Sequence, residues 1–129
     1  METNNKKKIL IVDDNEGLKN VLIDKFNYCG FEAIGAEDGQ VGLEKALELH
    51  PDIILLDVVM PKMGGMEVLK ELRKDGWGKN VKVMILTLVN EPEYMADAVE
   101  SNILGYFVKT EVNLDKLVDQ IKRIFEIKT

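Results

Sequence analysis

Short apolar runs that stop abruptly on a polar residue recur along this chain. Ile9–Val12 ends at Asp13 and Asp14, Ile53–Leu56 at Asp57, Val81–Leu86 at Thr87, and Tyr106–Val108 at Lys109. Runs this short and this apolar suit strands covered on both faces, as in parallel sheets. Between them the hydrophobic period becomes that of a helix. Leu18, Val21, Leu22, Phe26 and Cys29 recur at helical spacing before Gly30, a residue suited to positive φ at a helix end. Phe31–Gly35 reads as a second, weaker strand. Val41, Leu43, Ala46, Leu47 and His50 form the next helical stripe, which ends near Pro51 because proline disfavours helical geometry in the residue before it. Beyond Pro61, Gly64 and Gly65, the residues Met66, Leu69 and Leu72 mark a short helix that stops by Gly76. Asn90 and Glu93 resemble a capping box ahead of a helix with Met95, Ala98 and Val99, and Leu114, Leu117, Val118, Ile121, Ile124 and Phe125 stripe the last helix.

Five strand-then-helix units imply parallel strands joined by right-handed crossovers, an α/β fold in three layers. With 129 residues, no linker and no low-complexity tract, residues 1–129 are expected to form a single domain that holds a core without staples. One cysteine, Cys29, forbids an internal disulfide, and one histidine, His50, leaves too few soft ligands for structural zinc. Cys29 reads as a small core-facing residue and His50 as a helix-end residue. Trp77, between glycines, reads as loop packing or a partner anchor. The apolar runs are far short of a membrane span, so a cytoplasmic location without membrane association is expected. Seventeen Lys plus Arg against 23 Asp plus Glu gives −6, which argues against direct nucleic-acid binding by charge; Lys6–Lys8 is the one basic run.

In open parallel sheets the functional crevice lies beyond the carboxyl ends of the strands, where strand order reverses. Asp13, Asp14, Asp57, Thr87 and Lys109 all fall on that edge. Any one of these acids alone would read as a turn or cap residue. Three carboxylates in one crevice repel one another and call for a cation, and oxygen ligands of this kind suit Mg²⁺. Lys109 then offers a positive charge to a phosphoryl oxygen, Thr87 a hydroxyl donor, and Asp57, centrally placed, a nucleophile that becomes an acyl phosphate.

The Asp13–Asp14 pair, Asp57 followed by Met60, Pro61, Met63 and Gly65, then Thr87, Gly105, Tyr106 and Lys109 stand in an order and spacing that resembles the receiver domains of two-component response regulators, the CheY-like family. The resemblance spans nearly the whole chain. It implies a flavodoxin-like, doubly wound sheet of five strands in the order 2-1-3-4-5, flanked by five helices. It implies that Asp57 accepts a phosphoryl group from a phosphohistidine on a sensor histidine kinase or phosphotransfer protein. Mg²⁺ is then held by Asp14, Asp57 and the Val59 carbonyl, with Asp13 acting chiefly through water. Lys109 pairs with Asp57 before transfer and with the phosphoryl group afterwards. Thr87 and Tyr106 are the switch residues, and the surface of the fourth helix, fifth strand and fifth helix changes for a downstream protein. Such a chain catalyses its own phosphorylation and slow dephosphorylation without being a conventional metabolic enzyme.

Some positions depart from the family pattern. Thr110 follows Lys109 where the family has a cis proline, and a trans bond is expected since a non-proline cis bond costs roughly 3 kcal/mol. Leu88 replaces a small residue and is expected to narrow the phosphoryl entrance, and Gly64 replaces an acidic or small polar one. Leu88 and Thr110 favour an alternative, a degenerate receiver that binds partners without phosphorylation; the complete acidic, threonine and lysine set opposes it. Val59 and Val89 flank the position of the attacking water without a hydrogen bond to offer, so slow loss of phosphate is expected. Val59 also removes the second acid that an aspartyl phosphohydrolase needs, and no glycine-rich nucleotide motif is present.

Overall fold

The computed structural model describes residues 6–60, 62–87, 103–108 and 113–126. The strands are β1 (Lys8–Val12), β2 (Glu32–Ala36), β3 (Ile53–Asp57), β4 (Lys82–Thr87) and β5 (Gly105–Val108). The helices are α1 (Glu16–Tyr28), α2 (Gly39–Leu49), α3 (Gly65–Lys74) and a C-terminal helix (Leu114–Ile124), with a 3₁₀ turn at Gly78–Asn80. The strands form one parallel sheet in the order β2-β1-β3-β4-β5, as the family resemblance implies. The helix expected around Asn90–Val99 lies outside the described residues.

Strand alternation sorts the core into two layers. Leu10, Val12, Ile54, Leu56, Val83 and Ile85 face Ala46 of α2 and Val68, Leu69 and Leu72 of α3. Their neighbours Ile9, Ile11, Ile53, Leu55, Met84 and Leu86 face Leu22 and Phe26 of α1 and Leu117, Val118 and Ile121 of the C-terminal helix. Each such side chain contributes roughly 1.5–3 kcal/mol on burial, so runs apolar at every position are used on both faces.

The helical stripes are narrower than the periodicity suggests. Val21 is 48% exposed and Leu47 39%, so neither belongs to the core. On α1 the place is taken by Lys19, buried along its stem, whose Cδ would lie 3.2 Å from a Cβ at Gly35 while its Nζ reaches Glu16 at 3.1 Å. Phe31 is buried and meets Phe26 edge to face, but β2 starts one residue later than expected. Gly30 closes α1 at φ +98°.

The outer edge of β2 is covered by side chains. The Ala33 amide donates to Asn27 Oδ1 at 2.9 Å, and Lys45 Nζ donates to the Gly35 carbonyl at 2.6 Å. At the amino end of the sheet, His50 caps α2 in the left-handed region and stacks on Trp77 with ring centroids 4.3 Å apart. Trp77 also packs, partly buried, against the α2–α3 core layer, as loop packing requires.

Candidate functional site

Register builds the site. Val12 lies opposite Leu56, so the next residues along, Asp13 and Asp57, leave adjacent strands side by side. The chain departs from β1 to β2 on one side and returns to β3 on the other, so this pair sits where strand order reverses. Asp14 follows at once, and carboxylate oxygens of Asp13, Asp14 and Asp57 lie within 4.8 Å of one another. Asp13 is fully buried, Asp57 nearly so, and Asp14 exposed.

Local hydrogen bonds hold these acids in place. Asp13 donates its amide to the Ala36 carbonyl at 3.1 Å and accepts the Asn15 amide on Oδ1 at 2.9 Å. Asn15 in turn caps α1 by accepting from the Leu18 amide at 3.0 Å. After Asp57, Val58 has both backbone groups committed: its amide donates to Leu86 at 3.3 Å, and its carbonyl accepts from Gly65 at 2.8 Å. Glycine is required at residue 65, because a Cβ there would overlap the Asp57 carbonyl oxygen.

Carboxylates this close repel one another, most strongly the buried Asp13 and Asp57. A hard divalent cation relieves that repulsion, and an all-oxygen donor set with one side open to water suits Mg²⁺. The residues present therefore fit the metal that the fold family implies.

The structure brings together the three acids that the sequence singles out. Val59, 67% exposed, follows the pinned Val58. Thr87 ends β4, paired with Val108 of β5, one position beyond the residue opposite Asp57; its side chain lies outside what is described. Tyr106 sits in β5 opposite Ile85, 42% exposed. Lys109, Thr110, Leu88 and Val89 lie outside the described residues. Sequence reasoning passed over Asp38, Gly39 and Lys62, which bring the start of α2 against the loop after Asp57; the Asp38–Gly39 pair resembles an ordinary helix start, and Asp38 does cap α2 by accepting the Val41 amide at 2.9 Å.

The sequence matches the response regulator receiver domain across residues 9–122. The chain belongs to that family, the receiver domains of two-component signalling. Among its relatives, sporulation initiation phosphotransferase F of Bacillus subtilis (strain 168) is 32% identical over 122 residues, covering 95% of this chain and 96% of that protein. Chemotaxis protein CheY of Thermotoga maritima is 32% identical over 104 residues, covering 80% and 85%. The chain spans only 26% of another relative, regulatory protein AtoC of Escherichia coli (strain K12), at 31% identity over 95% of this chain. Chemotaxis protein CheY4 of Vibrio cholerae superposes with a TM-score of 0.85 at 29% identity, covering 92% and 98% of the two chains. A CheX–CheY–BeF3–Mg²⁺ complex from Borrelia burgdorferi superposes at 0.82 with 26% identity, covering 92% and 89%.

Proposed function

We propose that residues 1–129 act as one phosphoryl-accepting switch of a cytoplasmic two-component system, with Asp57 as the acceptor. The convergence of Asp13, Asp14 and Asp57 at the strand-order reversal carries this reading. An Asp57 carboxylate oxygen attacks the phosphorus of a phosphohistidine on a sensor kinase or phosphotransfer protein. The P–N bond breaks, its electron pair leaves on the imidazole, and an acyl phosphate remains on Asp57. Asp13, Asp14, Asp57 and the Val59 carbonyl would hold Mg²⁺, which supplies positive charge for the phosphoryl oxygens. The Borrelia CheY relative, whose complex includes BeF3 and Mg²⁺, supports that choice of ion.

Lys109, which follows Val108 in the sequence, and Thr87, the last residue of β4, are assigned an ammonium and a hydroxyl directed at the phosphoryl group. Tyr106, half exposed on β5, is assigned the second half of the switch, which alters the surface around β5 and the C-terminal helix for a downstream protein. Incubation with acetyl phosphate and Mg²⁺ should add the mass of one phosphoryl group, and Asp57→Asn should abolish the addition. An intact mass that stays unchanged in the wild type would instead favour a receiver that works by binding alone.

A further inference from the structure

The loop after Asp57 is held from a second direction, by the turn between β2 and α2. Asp38 is buried, and its two carboxylate oxygens are divided between two tasks: Oδ1 accepts from the Val41 amide, and Oδ2 pairs with Lys62 Nζ at 3.6 Å. Lys62 itself stands in the left-handed region at φ 69°, a conformation that costs a non-glycine residue roughly 1–2 kcal/mol and persists only where its surroundings impose it. Beside the ion pair, Gly39 meets the next loop residue: a Cβ on Gly39 would overlap the Met63 carbonyl oxygen, so the two loops touch backbone to backbone. Met60 and Met63 are anchored on the α2–α3 core layer. The segment that carries Val59 is therefore fixed at Val58 by β4 and α3, and at Lys62–Met63 by the start of α2.

We propose that Asp38 and Gly39, with Lys62, are positioning residues for Mg²⁺ binding: they touch neither metal nor phosphoryl group, and they set the path of the loop that presents the Val59 carbonyl. This inference rests on the functional reading above. The chemistry favours such a brace because Mg²⁺ demands near-ideal octahedral geometry, so a ligand supplied by a loop backbone loses affinity when the loop drifts.

The test reads the Mg²⁺ concentration that gives half-maximal labelling by acetyl phosphate, alongside Tm in EDTA, for the full chain. Lys62→Met should raise the half-saturating Mg²⁺ about threefold, the scale of a half-exposed ion pair, and Lys62→Arg should restore it. Asp38→Asn keeps a capping oxygen for α2 but loses the charge, so it should give the same shift, and the double variant should add nothing further. Gly39→Ala should raise it about tenfold or more, as loss of a supporting contact at a metal site does. A purely structural role would lower Tm in these variants and leave the Mg²⁺ dependence at the wild-type value, and that result overturns the inference. If Gly39→Ala does not fold, the Asp38 and Lys62 cycle decides alone. Wild-type protein that labels without regard to Mg²⁺, or never labels, overturns the functional reading and this inference together.

Discussion

Replacing Asp13 by asparagine separates two effects that the intact site combines. The Oδ1 acceptor for Asn15 survives, while one of two adjacent buried charges disappears. In EDTA the variant should be the more stable of the two, in the direction of the repulsion relieved. In saturating Mg²⁺ the order should reverse, because the wild type gains more from the ion; thermal melts with and without Mg²⁺ check both signs. Gly65→Ala acts through shape alone: the added methyl overlaps the Asp57 carbonyl oxygen and should cost about 2–3 kcal/mol in denaturant unfolding. Val59, exposed two residues after the proposed acceptor Asp57, offers no hydrogen bond to an attacking water. The phosphorylated protein should therefore persist well beyond seconds without a phosphatase, and Val59→Asn should shorten that lifetime in a mass-spectrometric time course.

The ties between elements are of unequal strength, and two of them make testable statements. Lys25 of α1 meets Asp115 of the C-terminal helix at 2.7 Å, and the hydrogen bond and charge of Asp115 raise the lysine above its usual 10.5. A raised folded-state value means that the contribution is complete below pH 10.5 and is lost as pH climbs through the higher folded value. The Tm gap between wild type and Lys25→Met should accordingly hold steady from neutral pH to about pH 10, shrink in high salt, and close in strong alkali. Arg73 serves the loop before β4: its Nη1 donates to the Gly78 and Val81 carbonyls at 2.7 and 2.9 Å, and burial lowers its ordinary value. Arg73→Met strands two carbonyls and should cost about 2 kcal/mol. Legibility followed the same division. The central strands β1, β3 and β4 were plain from their apolar runs because both faces are covered. Strand β2 was blurred because Gly35 leaves space for Lys19 and Ile23 of α1, a packing that hydrophobic period cannot register. The acids of the site were readable because they end strands. Asp38, Gly39 and Lys62 were not, because their relation exists only after two distant loops meet.

At the scale of the whole molecule, two core layers share one sheet, and the single tryptophan reports on only one of them. If residues 1–129 are one cooperative unit, Trp77 fluorescence and far-UV circular dichroism should give coincident thermal transitions, and Mg²⁺ at a hundredfold excess over its Kd should move both together by about 2.7 kcal/mol. Separate transitions would divide the sheet's two sides into independent units. The plugged margin of β2 bears on life among relatives. A bare sheet margin is sequence-blind glue, since every polypeptide offers the same amides and carbonyls to it. With Asn27 and Lys45 occupying two of those groups, adhesion there would require their displacement. On the proposed function, telling a cognate kinase from its many cousins would then fall to side chains, which differ from one protein to the next.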